Sequence, residues 1–180
     1  MKLMFASDIH GSRSAMEAIL RQYKLEGANR LVLLGDLLYH GPRNDLPDLY
    51  DPKGVTALLN ENKNELLCVR GNCDAEVDQM VLEFPVLADY MLLPVGDRMI
   101  FATHGHHFGE QNPPPFAKGS ILLNGHTHVP VFRDHGDWIY LNPGSVSIPK
   151  ENSPRGYMTL EEGALAWKTL AGEVWQEATL

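Results

Sequence analysis

Five short polar clusters, each set directly after an apolar run, constrain what this chain can fold into more than any other feature. Asp8-Ile9-His10 follows Lys2 to Ser7, Gly35-Asp36 follows Arg30 to Leu34, and Gly71-Asn72-Cys73-Asp74 follows Glu65 to Val69. In the second half, His104-Gly105-His106 follows Phe101-Ala102-Thr103, and Gly125-His126-Thr127-His128 follows Ile121-Leu122-Leu123. Short apolar runs cut off by glycine and acid read as buried strands, and in open α/β sheets ligands gather beyond the carboxyl ends of strands. The repeated placement predicts one shared site at one end of the strands.

The intervening segments set the layers. A capping box of Ser14 and Glu17 predicts a helix start, with Ala15, Met16, Ala18, Ile19, Leu20 and Tyr23 supplying helix formers and an apolar face. A loop rich in Pro, Gly, Asp and Asn then runs to Pro52, where Asp51-Pro52 suits an N-cap with Pro at the first helical position, leading into Gly54 to Asn62. Beyond Pro85 the texture turns to short strands: Tyr90 to Leu93, Arg98 to Thr103, Ser120 to Leu123, Val131 to Asp134, Trp138 to Leu141, Tyr157 to Leu160 and Glu173 to Ala178. Gly96-Asp97 and Gly136-Asp137 mark hairpin turns. The pattern predicts an α/β chain in layers, built on a mixed sheet or on two packed sheets with helices outside. With 180 residues and no repeat or linker, residues 1–180 are expected to form a single domain.

A formal net charge of −8 gives no basic footprint, so stable binding to long nucleic acid is not expected. A small anionic substrate stays open, because bound cations would reverse the local sign. Cys68 and Cys73 are the only cysteines, too few and too dissimilar in setting for a disulfide framework or a paired-cysteine zinc site. The apolar start breaks at Asp8, too soon for a signal peptide or a membrane span. A cytoplasmic protein without a membrane partner is expected.

Carboxylate and amide oxygens together with neutral imidazoles suit Mn²⁺, Fe²⁺, Zn²⁺ or Ni²⁺, and the absence of thiolate pairs favours a catalytic over a structural metal site. If strand alternation persists, residues i and i+2 share a side, so Asp8 with His10, and His126 with His128, each aim two ligands at one centre. Two cations about 3.5–4 Å apart need a shared carboxylate, and Asp36 on its glycine turn is the candidate bridge.

Taken together, Asp8-x-His10, Gly35-Asp36, Gly71-Asn72, His104 and Gly125-His126-Thr127-His128 resemble the five signature blocks of the calcineurin-like metallophosphoesterase superfamily. Asn142-Pro143-Gly144-Ser145 resembles a further segment of its small bacterial and archaeal phosphodiesterase branch. The resemblance implies a four-layer αββα sandwich of two mixed sheets. It also implies that Asp8, His10, Asp36 and His128 hold one metal while Asp36, Asn72, His104 and His126 hold the other, with Mn²⁺ the typical activator. The implied reaction is hydrolysis of a small phosphodiester by a hydroxide that the dinuclear metal centre activates. In many members a His follows the Asn, whereas Cys73 stands here, and a thiol with an ordinary pKa of about 8.5 is a weak proton donor. Diesters with good leaving groups are therefore expected over alkyl monoesters.

Cys73, Asp74 and His106 are the further candidates for catalytic roles, with loop capping an equal account of Asp74. Arg13 reads as a surface residue, Cys68 as core, and His40, His107 and His135 as solvated loop residues. Trp138, Tyr140, Trp167 and Trp175 are expected on strands and in the core, or in a subunit contact of a dimer or tetramer. The competing readings are a protein-binding scaffold on the same fold, a nuclease, and a phosphomonoesterase or protein phosphatase. Retention of every expected ligand favours the enzyme over the scaffold.

Overall fold

Strand β1 (Lys2–Ala6) pairs in parallel with β2 (Arg30–Leu33), and β2 with β3 (Leu66–Cys68), the arrangement that crossover helices α1 (Arg13–Glu26) and α2 (Pro52–Glu61) require. The computed structural model describes residues 1–180. After the short α3 (Glu76–Val81), the chain lays down β4 (Tyr90–Val95), β5 (Arg98–Thr103), β6 (Ile121–Leu123), β7 (Val131–Asp134) and β8 (Ile139–Asn142). These form a second sheet of order β4-β5-β6-β8-β7, with β5, β6 and β8 parallel. The last strands, β9 (Gly156–Glu161), β10 (Ala164–Thr169) and β11 (Val174–Thr179), return antiparallel to the first sheet and complete its order β11-β10-β9-β1-β2-β3.

Alternation along each strand feeds two cores. Phe5 and Val32 point between the sheets, where they pack with Ile100, Ala102, Ile121 and Trp167. Met4 and Leu31 point the other way, against Met16 and Ile19 of α1 and Val55 and Leu59 of α2. The outer face of the second sheet is covered by Phe108 and Phe116 from the loop after β5, which pack on Phe101, Leu122 and Tyr140. The result is a layered sandwich of two mixed sheets with helices, the fold class expected from the resemblance. No helix is long and apolar enough to cross a membrane.

Most expected elements form, with ends displaced by a residue or two. Helix α1 is capped not by Ser14 but by Ser12, whose hydroxyl accepts from the Ala15 amide at 3.3 Å while donating to the Asp48 carbonyl at 2.8 Å. Asp51 caps α2 as expected, its carboxylate accepting from the Gly54 amide at 2.9 Å. Helix α3 was not foreseen, and of strand β10 only Trp167 was expected on a strand, without bounds. Cys68 is buried and Arg13 is a surface residue paired with Glu17 and Asp51, as expected. Trp167 is fully buried, but Trp175 is 40% exposed on the edge strand β11 and Trp138 precedes β8 rather than lying on it. His40 is not a freely solvated residue: its ring sits between Tyr39 and Tyr50 with a buried Nδ1.

The end of α1 is fixed to the first sheet by one carboxylate. Glu26 accepts from Lys168 Nζ at 2.6 Å and from the Tyr157 hydroxyl at 2.8 Å, and Lys2 Nζ lies 2.6 Å from its other oxygen. Burial works to raise this carboxyl, but the donors from Lys168, Lys2 and Tyr157 outweigh it and bring the pKa down to about 2. A carboxyl depressed in the folded state stabilises fully above its unfolded value and loses that contribution as pH falls through the folded one. Glu26→Gln is therefore expected to cost about 2–3 kcal/mol at neutral pH. Urea melts of both proteins from about pH 7 to about pH 3 should show the gap closing with acid; a gap that stays constant would mean that charge does not carry it.

Candidate metal centre

The ligand clusters leave their strands in a conformation that strands do not use. Asp8, His10, Asp36, His126 and His128 have φ of 58°, 50°, 55°, 64° and 62°, in the left-handed region that costs side-chain-bearing residues of order 1–3 kcal/mol each. Strand alternation therefore does not continue into the loops. Asp8 and His10 still meet, but His126 and His128 turn to different partners, so the expectation that each i, i+2 pair serves one centre fails for the histidine pair.

Two groups of donor atoms result. In the first, His10 Nε2 lies 3.3 Å from His128 Nε2 and 3.7 Å from Asp8 Oδ1, and His128 Nε2 is 3.2 Å from the same oxygen. In the second, His104 Nε2 lies 3.0 Å from Asn72 Oδ1 and 3.2 Å from His126 Nδ1. Asp36 Oδ2 stands between the groups, 3.6 Å from His10 Nε2 and 3.4 Å from His104 Nε2. Donors that each bind one ion at about 2.0–2.2 Å stand roughly 3–3.5 Å apart, and the separations here run from 3.0 to 3.7 Å.

Hydrogen bonding fixes which atoms carry protons. The Nδ1–H groups of His10, His128 and His104 donate to the carbonyls of Tyr39, Ile148 and Leu34 at 2.8, 2.7 and 2.6 Å. Each neutral ring then turns a bare Nε2 lone pair inward. Asp8 Oδ1 is buried with no hydrogen-bond donor. Lone pairs facing lone pairs at a site whose Asp8, His10, Asp36, His104 and His128 are buried suit positive charge, so the residues present fit divalent metal ions. Without one, burial lowers the His104 pKa but the Asp36 hydrogen bond and the charges of Asp8 and Asp36 prevail, raising it to about 9. Burial likewise raises the Asp36 carboxyl, and His104, the Cys73 amide and His10 overcome this to hold it well below the usual range. A cation bound there would displace that proton.

Surrounding residues hold the donors in place. Asp74 is buried, and its two oxygens accept from the amides of Asp36 at 2.8 Å, Gly71 at 2.7 Å and Leu37 at 2.8 Å. Burial pushes its carboxyl up to about 6 despite those donors. It thus ties the β2 and β3 loops together, and it does not line the cleft. Gly71 lets Asp36 in, since a Cβ there would sit 2.1 Å from Asp36 Oδ1. Ser145 and Ser147 both donate to the Asp8 carbonyl, at 2.9 and 2.7 Å, and the buried Asn142 donates to the Gly125 carbonyl at 2.7 Å. Asn142 and Ser145 belong to the segment that carried the further resemblance, for which no role was read from the sequence; Ser147 carried no local signal.

The remaining candidates differ in position. Cys73 lines the open cleft, and its thiol is pushed up by burial and then by Asp36, so it stays protonated. His106 lines an adjoining pocket instead, with its ring 5.4 Å from His104. Burial and then the His104 charge lower its pKa to about 4, leaving it neutral. His107 is exposed, and His135 pairs with Glu110 at 2.9 Å and stacks on Trp138. The cleft has a volume of about 500 Å³ and also receives Arg43, Asn44 and Lys150, none of which the sequence pattern had singled out.

Comparison with known proteins bears on this arrangement. Residues 1–164 match the calcineurin-like phosphoesterase superfamily domain. The chain is 49% identical over 166 residues to the phosphodiesterase YfcE of Escherichia coli strain K12, covering 92% of this chain and 90% of that one. A solved structure of the E. coli phosphoesterase YfcE superposes with a TM-score of 0.96 at 46% identity, covering 99% of both chains. Zinc-complexed Vps29 from Entamoeba histolytica superposes with a TM-score of 0.64 at 20% identity over 99% of both chains, a likeness of fold.

Proposed function

We propose, for a chain that belongs to the calcineurin-like phosphoesterase superfamily, hydrolysis of a small phosphodiester at a dinuclear site. Asp8, His10, Asp36 and His128 are assigned to one cation and Asp36, Asn72, His104 and His126 to the other. The observation that carries this reading is the pair of converging oxygen and imidazole donor groups on either side of Asp36 Oδ2. Bound there, divalent cations would supply a water acidic enough to ionise near neutral pH and positive charge for the phosphoryl oxygens. The thiolate-free donor set suits Mn²⁺, with Zn²⁺, Fe²⁺ and Ni²⁺ compatible.

The chain's own part is positioning and exclusion. Carbonyls of Tyr39, Leu34 and Ile148 keep the imidazoles in the tautomer that binds metal. Cys73, protonated and a weak acid, gives little help to a departing alkoxide, which favours diesters with good leaving groups over alkyl monoesters. Asp74 acts by holding the Asp36 and Gly71 loops, and His106 shapes the wall behind His104. Residues 1–180 are taken as one domain, because β10 and β11, which run past the matched region, complete the same sheet as β1.

The test is an activity panel with bis(4-nitrophenyl) phosphate and 4-nitrophenyl phosphate, run with Mn²⁺, Zn²⁺, Fe²⁺ or Ni²⁺ and after chelation, together with metal analysis. About two ions per chain and a diester preference of at least about tenfold are expected. Turnover that survives chelation, or a monoester preference, would overturn the assignment.

A further inference from the structure

We propose that Arg43 and Lys150 clamp a second anionic group, so that the substrate is a phosphodiester that also carries a phosphomonoester. This rests on the phosphodiesterase reading above and specifies its substrate class. Both side chains line the cleft that contains His10, Asp36, Asn72, His126 and His128. Neither enters any salt bridge or side-chain hydrogen bond, although the chain carries a net charge of −8 and other basic residues near the ligand loops are neutralised. Arg13 is spent on Glu17 and Asp51, Arg70 on Glu76, and Arg155 on Asp48.

Their backbones are rooted in the ligand loops. The Lys150 amide donates to the His128 carbonyl at 3.2 Å. Arg43 lies in a turn closed by Asn44, whose side chain donates to the His40 carbonyl at 2.8 Å, one residue beyond the Tyr39 carbonyl that orients His10. Two cations are thus carried at fixed stations beside the reacting centre, free to swing onto a ligand.

Charge and composition say which ligand. Two divalent ions against the carboxylates of Asp8 and Asp36 leave two positive charges, which a diester anion and an anionic nucleophile consume. Arg43 and Lys150 are then surplus by two, matching a phosphomonoester, which carries about −1.5 to −2 at pH 7. The volume of about 500 Å³ exceeds the needs of one phosphate group, and only one of the twelve lining residues is hydrophobic. Recognition by charge is favoured there over stacking or insertion of an alkyl tail.

The experiment compares two chromogenic diesters, a nucleoside 5′-(4-nitrophenyl phosphate) with a free 3′-hydroxyl and the same compound with a 3′-phosphate. The preference in kcat/KM for the 3′-phosphorylated diester is expected to be at least about tenfold in the natural protein, expressed in KM, and to collapse in Arg43→Ala/Lys150→Ala. Calorimetry on the Mn²⁺-loaded protein with nucleoside 3′,5′-bisphosphate and with the 5′-monophosphate reads the same preference without turnover. No preference in the natural protein, or one that persists in the double variant, overturns the clamp. If neither diester is hydrolysed but the bisphosphate preference is present and lost in the variant, the clamp stands and the phosphodiesterase reading falls.

Discussion

Asp36→Asn is expected to lower diester hydrolysis by about a thousandfold and to reduce the bound metal below two ions per chain. The carboxylate faces two ways: Oδ2 reaches toward both donor groups, and Oδ1 accepts from the Cys73 amide at 2.8 Å. An Asn side chain has one acceptor oxygen for these two tasks. If the amide nitrogen turns to Cys73, two donors confront each other; if it turns inward, a donor sits where cations must bind. The formal charge of the site also rises by one, so the two ions repel with less compensation. Metal analysis of the purified variant, alongside turnover and circular dichroism, separates loss of ions from loss of fold. Full activity with two ions bound would remove Asp36 from the bridging position, and with it the dinuclear reading.

The site was more legible in the sequence than the conformation that makes it. The apolar runs of β1, β2, β5 and β6 are buried on both faces, between the sheets or between sheet and covering layer, so each reads as a short continuous run that stops where polar ligands begin. Which ligands share a centre was not readable from spacing, because left-handed residues at His126 and His128 undo the period of two on which spacing arguments depend. The assignment of ligands to two centres came from the resemblance and stands as part of the proposal. Helix α3 gave no signal because Val77, Met80 and Val81 are exposed and no buried face exists to set a period. Strand β10 offers only Leu165 and Trp167 as alternating buried residues, too few to outvote its Ala, Lys and Thr. Ser12 displaced Ser14 as the helix cap through its hydrogen bond to Asp48, a partner distant in the chain. Arg43 and Lys150 were hidden for the same reason: only the folded loops place them in one cleft.

Asp74→Asn decides between two accounts of the acid that follows Cys73. Oδ2 accepts two amides, from Asp36 and Gly71, and Oδ1 accepts one, from Leu37. An Asn would keep its oxygen where two donors meet and point its amide nitrogen at the Leu37 amide, which loses one charge-assisted hydrogen bond and buries a donor against a donor. The cost is about 2–4 kcal/mol, and the loosened Asp36 and Asn72 loops should lower metal affinity by about 10–100-fold. Activity at limiting Mn²⁺ is expected to fall in step, to recover partly at high Mn²⁺, and to keep the pH profile of the natural protein. A proton-donating Asp74 would behave in the opposite way. Its loss would delete one limb of the profile, leave metal stoichiometry and unfolding temperature near those of the natural protein, and resist rescue by added Mn²⁺. Asp74 is buried, does not line the cleft and is engaged by three backbone amides, so the structure stands with the first outcome, and a profile that changes shape without loss of metal would sink it.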